Sequence, residues 1–115
     1  MAGGFGEFLQ ELLAPVGTIT LRRMFGGTGV FCDGLMFGIV ADEVLFLKVD
    51  DTNRAAYEAE GLEPLTYEAK GRTIALGYWQ IPERLLDEPD ELVAWARTAL
   101  AVAQRAEAKK RPRRK

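Results

Sequence analysis

The sequence of 115 residues contains no histidine and no serine. Their absence excludes Ser-His-Asp triads, Cys-His dyads, histidine metal ligands and histidine proton relays. A single cysteine, Cys32, permits neither an intrachain disulfide nor a four-cysteine zinc site, and points to a reducing compartment. No run of about 18 apolar residues occurs, so no membrane-spanning segment is expected. The N-terminal stretch has no basic segment, and Glu7, Gln10 and Glu11 interrupt its apolar positions, so it does not read as a targeting signal. These absences leave the expectation of a cytoplasmic, non-enzymatic protein with no catalytic residues, no metal and no cofactor.

What is present suits one soluble domain. Hydrophobic residues make up 48% of the chain and charged residues 28%. At this length folding removes roughly two-thirds of the unfolded chain's surface from water, enough for a core without metal or disulfide. The net charge of -2 conceals an asymmetry. From Arg105 onward there are seven basic residues against one acid, Glu107; removing them from totals of 15 and 17 leaves residues 1–104 with 8 basic and 16 acidic, a net of -8. An acidic body with a basic end is two electrostatic objects, and only the end attracts nucleic acid. The expected division is a domain over residues 1–106 and a basic tail without fixed structure over residues 107–115.

Phe5, Phe8, Leu9, Leu12 and Leu13 recur at helical spacing until Pro15 and Gly17 stop them. Residues 18–24 alternate as a half-buried strand. Three short apolar runs follow, at residues 28–32, 35–41 and 44–49, separated by Asp33-Gly34 and Asp42-Glu43. Asp-Gly between apolar runs signals a hairpin whose turn needs two positive φ angles, so residues 28–49 are expected to form an antiparallel meander. Asp50, Asp51, Thr52 and Asn53 offer N-caps for a short helix through Glu60, with Gly61 as its terminator. A second hairpin is expected around Gly71, from residues 65–70 and 72–80, and Pro82 ends it. Asp90 opens the longest helix, running toward Ala106, with Leu92, Ala96, Ala99, Leu100 and Ala103 as its apolar stripe. The order is α-β(3-4)-α-β(2)-α. It implies an α+β fold of two layers, an antiparallel sheet with helices packed on one face.

Strict alternation from the two turns places Val30, Cys32, Leu35, Phe37, Ile39, Val44, Phe46 and Lys48 on one face. The other carries Gly29, Phe31, Met36, Gly38, Val40, Leu45, Leu47 and Val49, with Gly29 opposite Gly38. Both faces are apolar, yet helices cover one. The uncharged face with the two glycines is assigned to the core. Phe37, Ile39, Val44 and Phe46 are left as a candidate interface for a second copy or a protein partner.

The segment from Arg23 to Gly29 is glycine-rich and flanked by Arg22. It leads into a strand rather than a helix, so it is read first as a turn or bulge. Arg22, Arg23, Gly26, Gly27 and Lys48 remain candidate contacts for an anion or partner. Cys32 reads as a small strand residue, and Asp50 and Asp51 as caps rather than metal ligands. Tyr67, Tyr78, Trp79 and Trp95 are not interleaved with basic residues and read as core aromatics. Lys109, Lys110, Arg111, Arg113, Arg114 and Lys115 are candidate sequence-independent nucleic-acid contacts.

The elements Arg23-Met24-Phe25-Gly26-Gly27-x-Gly29, Phe37, Leu47-Lys48-Val49-Asp50, Tyr67 and Gly77-Tyr78-Trp79-x-Ile81-Pro82 resemble, in this order, the N-terminal domain of the TfoX (Sxy) family of bacterial competence regulators. The resemblance runs from about Phe8 to Ala103. It implies a secretion-chaperone-like α+β fold and, for longer members, transcriptional co-regulation of DNA-uptake genes with the cyclic-AMP receptor protein. Those members carry a second, helical C-terminal domain, so this sequence is expected to be a stand-alone member. The resemblance brings no catalytic residues. The expected function is a regulatory binding module acting through protein contacts, with a transcription regulator as the kind of partner. The alternative is a nucleic-acid-associated accessory protein using the basic tail.

Overall fold

The computed structural model describes residues 4–24 and 26–110. The elements run α1 (Gly4–Leu12), a 3₁₀ turn (Ala14–Val16), β1 (Ile19–Met24), β2 (Gly27–Cys32), β3 (Leu35–Ala41), β4 (Val44–Lys48), α2 (Arg54–Ala59), β5 (Pro64–Ala69), β6 (Arg72–Gln80), a second 3₁₀ turn (Glu83–Asp87) and α3 (Pro89–Lys110). The six strands form one antiparallel sheet in the order β1-β2-β3-β4-β6-β5. The mixed α+β class and every expected strand are present. The first four strands make a meander. The chain then crosses by α2 to the far edge, and β6 returns to fill the place beside β4.

Turn chemistry explains the meander. Asp33 and Gly34 have φ of 53° and 80°, Asp42 and Glu43 have 52° and 60°, and Lys70 and Gly71 have 54° and 77°. Two successive positive φ values give the turn whose twist matches that of paired strands. The glycine-rich segment is also a hairpin: Met24 pairs with Gly27 across a tight turn that includes Gly26 at φ 77°. A Cβ on Gly27 would lie 2.7 Å from the Val40 carbonyl oxygen, so glycine here permits close approach of two backbones.

The core lies between the sheet and all three helices. Leu9 of α1, Tyr57 of α2, Leu85 of the second 3₁₀ turn, and Leu92, Ala96, Ala99 and Ala103 of α3 pack with Val30, Cys32, Phe37, Leu45 and Leu47 of the sheet. The alanines let α3 approach the sheet closely, and Gly38 is buried in β3 between Val30 and Leu47. Among the described residues no charged side chain is buried.

The register corrects the one-face reading. Cys32 pairs with Leu35 and Ala41 with Val44, as the turns dictate, but between them Val30 pairs with Gly38 and Phe31 with Met36. Phe37 is therefore an extra residue, a one-residue bulge in β3. Phe37 and Gly38 both face the core, which is feasible because Gly38 contributes no side chain to the crowded layer. The bulge splices the two predicted faces. The true inner face joins Val30, Cys32, Leu35 and Phe37 to Leu45, Leu47 and Val49. Gly29 pairs with Ile39 instead of Gly38, and Phe37, at 0% exposure, is a core residue and not part of an outward interface.

One helix boundary and one helix cap also differ. The last helix continues to Lys110, so residues 107–110, including Lys109 and Lys110, are helical and not part of an unstructured tail. Arg111, Arg113, Arg114 and Lys115 lie outside the described residues. The acids before α2 do not cap it with their side chains. The Asp50 carboxylate instead accepts from the Thr52 N–H at 2.8 Å and the Thr52 hydroxyl at 2.6 Å, while Arg105 of α3 donates to Asp50 at 3.1 Å. These bonds to the carboxylate, led by that from the Thr52 hydroxyl and joined by the Arg105 charge, hold Asp50 below the usual carboxylate range. The cluster fastens the loop after β4 to the last helix.

Candidate functional site

The sheet face away from the helices carries an apolar groove of about 610 Å³. One wall comes from the β1–β2 hairpin and β3, with Met24, Met36 and Ile39; the other comes from the β5–β6 hairpin, with Tyr67, Leu76 and Tyr78. β1 and β5 are the two edges of the sheet, so the sheet curls toward this side until both edges border one concavity. Register irregularities between Pro64 and Thr66, and Gly77 at φ 79°, let the second hairpin bend over it. Tyr67 and Leu76 remain 45% and 41% exposed, which is large for apolar side chains on a folded surface.

The floor is built around a small residue. A Cβ on Gly29 would meet the Sδ of Met36 and Cε1 of Phe31, both at 2.8 Å, and the Sδ of Met24 at 3.1 Å. Two methionines and a phenylalanine thus close over a glycine, and the thioethers supply an adaptable apolar lining. The Tyr78 hydroxyl donates to the Met36 carbonyl at 3.4 Å, a long bond that ties the two walls. Burial raises the Tyr78 phenol above its usual range, so it stays neutral.

Two cations flank this lining. The Arg22 guanidinium lies 5.4 Å from the centroid of the Phe31 ring, and the Lys48 ammonium 4.8 Å from that of Tyr78. Burial lowers the Lys48 pKa, and the charge of Lys110 at the end of α3 lowers it further, while Asp50 acts in the opposite direction. Arg22 and Lys48 stand three strands apart, which at the ordinary strand spacing is roughly 15 Å.

The candidate residues therefore separate. Gly26 and Gly27 line the groove, Arg22 and Lys48 flank it, Arg23 is exposed and alternates to the opposite face of β1, and they do not converge on one anion-sized cradle. Ile39 lines the groove; Val44 and Phe46 are half-buried on the same outer face, where Phe46 pairs with Ile39 and Gln80. The aromatics divide too. Trp79 and Trp95 pack around Tyr57, with ring centroids 6.2 and 4.7 Å away, as core aromatics should. Tyr67 is a surface residue of the groove, contrary to its core reading. Cys32 is buried, and burial, with Asp33 beside it, raises its thiol above the usual range, which makes it a poor nucleophile. Met24, Met36 and Leu65 were not legible as site residues. The one available signal was a glycine between two methionine-bearing strands, which marks a place where large side chains converge.

Among the described residues no group of three His, Cys, Asp or Glu side chains could hold a metal ion, and no helix is long and apolar enough to cross a membrane. What the site offers is adaptable apolar contact between two fixed cations, on a two-layer α+β domain whose other face is its core. The chain belongs to the TfoX N-terminal domain family, whose model matches residues 11–103. It is 31% identical over 94 residues to protein Sxy of Escherichia coli strain K12, a match that covers 82% of this chain and 45% of that protein. It is 27% identical over 96 residues to DNA transformation protein TfoX1 of Aliivibrio fischeri, covering 84% of this chain and 44% of the relative. The chain thus spans less than half the length of the curated relatives it matches.

Proposed function

We propose that this chain is a non-enzymatic, cytoplasmic regulatory module that acts through protein contacts made at the outer groove, in the control of DNA transformation suggested by the name of one relative. The observation that carries this reading is the groove itself. Side chains from both edges of the sheet converge on it, and two large apolar residues stay exposed there although the helices already satisfy the opposite face. A photo-crosslinking residue introduced at Tyr67 tests the reading in the native cell. Phe8 is the control, since it is 41% exposed on α1, in the helical layer. The expected result is a discrete protein adduct from position 67 and none from position 8. Adducts from position 8 alone place the contact on the helical face and refute the reading.

The basic end supports a second reading, an accessory contact with nucleic acid. Lys109 and Lys110 occupy the last turn of α3, and Lys110 lies within electrostatic reach of Lys48. Deleting residues 109–115 should then remove any DNA retention, and binding by the intact chain should weaken steeply with salt. Retention that survives the deletion refutes it.

A further inference from the structure

We infer that the groove takes an acidic-apolar peptide segment of a partner protein, with apolar side chains seated between Met24, Met36, Tyr67 and Leu76 and carboxylates meeting Arg22 and Lys48. The inference rests on the proposed function and names the chemistry of the partner.

Charge complementarity carries it. The body of the domain is acidic, and on the helical side three of its arginines are matched by carboxylates, while Arg97 donates to the Pro15 carbonyl at 2.9 Å. Arg84 reaches Glu60 at 2.6 Å and Glu91 at 2.8 Å, Arg105 reaches Asp50 at 3.1 Å, and Arg54 reaches Asp51 at 2.7 Å. Arg22 and Lys48 differ. Each rests on an aromatic ring of the outer face, and among the described residues neither has a carboxylate at ion-pair distance. A cation stacked on a ring keeps its outer side available, and ring and cation together are pre-organised, so little side-chain freedom is lost when an anion arrives. With acidic residues in excess over this body, two cations left unmatched on the one face that also exposes large apolar side chains complement an anionic, apolar partner. A carboxylate beside Lys48 would also offset the two influences that disfavour its charge, burial and Lys110.

Charge also ranks the other occupants. A second copy seated face to face would bring Arg22 and Lys48 of both protomers onto one two-fold interface, like charge against like. The segment from residue 111 onward, Arg-Pro-Arg-Arg-Lys, offers basic residues and no apolar side chain of size to fill the groove. The spacing of roughly 15 Å corresponds to four or five residues of extended chain. A short segment with carboxylates at both ends therefore spans it.

The test uses two synthetic heptapeptides, Glu-Glu-Leu-Thr-Leu-Glu-Glu, whose inner glutamates are four residues apart, and the same peptide with lysine at the four end positions. Each is titrated into the full chain and followed by backbone amide shifts in NMR. The glutamate peptide should give saturable shifts at Met24, Met36, Tyr67 and Leu76. The lysine peptide should bind about tenfold or more weakly, because attraction at two partly exposed pairs becomes repulsion. The double variant Arg22→Gln with Lys48→Gln should weaken the glutamate peptide about three- to tenfold and narrow the gap between the two. Leu76→Asp, at an exposed position that leaves the core intact, should abolish both. Equal binding of the two peptides, shifts confined to the helical face, or no saturable shift with the glutamate peptide would overturn the inference. Equal binding at the groove, with an adduct still formed from position 67, sinks only the charge preference and leaves the groove reading standing. Self-association in sedimentation that Leu76→Asp abolishes would assign the groove to a second copy and also overturn it.

Discussion

The bulge in β3 can be tested by comparing two phenylalanines that strict alternation would treat alike. Counting outward from the turns puts Phe37 and Phe46 on the same face. The register places Phe37 in the core at 0% exposure and Phe46 half-buried on the outer face. Truncating a fully buried phenylalanine to alanine loses its transfer free energy and leaves a cavity, a cost of about 3–5 kcal/mol. For Phe46 only about half of the burial term is at stake and solvent refills the space, so the cost is about 1 kcal/mol. A domain of this size has a stability of about 5–15 kcal/mol, so Phe37→Ala removes a large share. With a urea slope of about 1.5 kcal/mol/M, Phe37→Ala should lower the unfolding midpoint by about 2–3 M and Phe46→Ala by less than about 1 M. Urea melts followed by tryptophan fluorescence read both, with unchanged slopes as the condition for comparing them. Equal midpoints, or a larger loss for Phe46→Ala, would show that β3 runs without the bulge and that the outer face is assigned wrongly.

The Tyr57 hydroxyl is buried without a hydrogen-bond partner, and burial drives its pKa upward, so Tyr57→Phe should raise stability by about 1 kcal/mol, seen as a melting point about 4–8 °C higher. A lower melting point would mean that the hydroxyl is satisfied. Asparagine should be tolerated at Gly26, whose φ is 77° and where a Cβ would meet nothing within 4 Å, but should cost about 1–3 kcal/mol at Gly27, where the Val40 carbonyl blocks it; similar losses at both would refute this account of the hairpin. Asp50 has a folded-state pKa below its unfolded value, so its contribution is present above about pH 4 and lost as pH falls through the folded value. Acid titration of stability should therefore be shallower in Asp50→Asn than in the parent, by less than about 1 kcal/mol in total because the pair with Arg105 is partly exposed.

Much of the fold was legible because its signals are local. The turns at Asp33-Gly34 and around Gly71 are written in residues that accept positive φ, and the stripe of α3 is written at helical spacing. The bulge was not legible for a definite reason. Leu35 to Ala41 is apolar throughout, so no polar residue marks where alternation slips, and both ends of the strand keep the register that their turns impose. The slip is visible only when Leu45 and Leu47 compete with Ile39 and Phe46 for the same helical layer. The end of α3 was missed because Glu107 to Lys110 carry charge rather than apolar periodicity. As for the site, the cations Arg22 and Lys48 were identifiable as candidate contacts for an anion or partner, Arg22 from its place beside the glycine-rich segment. Tyr67 and Leu76 were not, because their exposure depends on how the second hairpin bends at Gly77, a tertiary effect.

The bulge also determines the character of the groove. Phe37 stays inward with Val30 and Cys32, and the slip after it turns Ile39 outward to line the groove beside Met24 and Met36. A phenylalanine there would impose one shape on whatever docks. Unbranched thioethers repack at low cost, so apolar side chains of different outline can be accommodated. Shape then discriminates weakly between partners, and selection falls to the groups that do not move, the cations held on Phe31 and Tyr78. Charge acts at a distance and on the rate of encounter, and fixed charges reject a partner of the wrong sign whatever its outline. A plastic floor between fixed cations therefore suits a module that must recognise the charge pattern of a segment more strictly than its exact side chains.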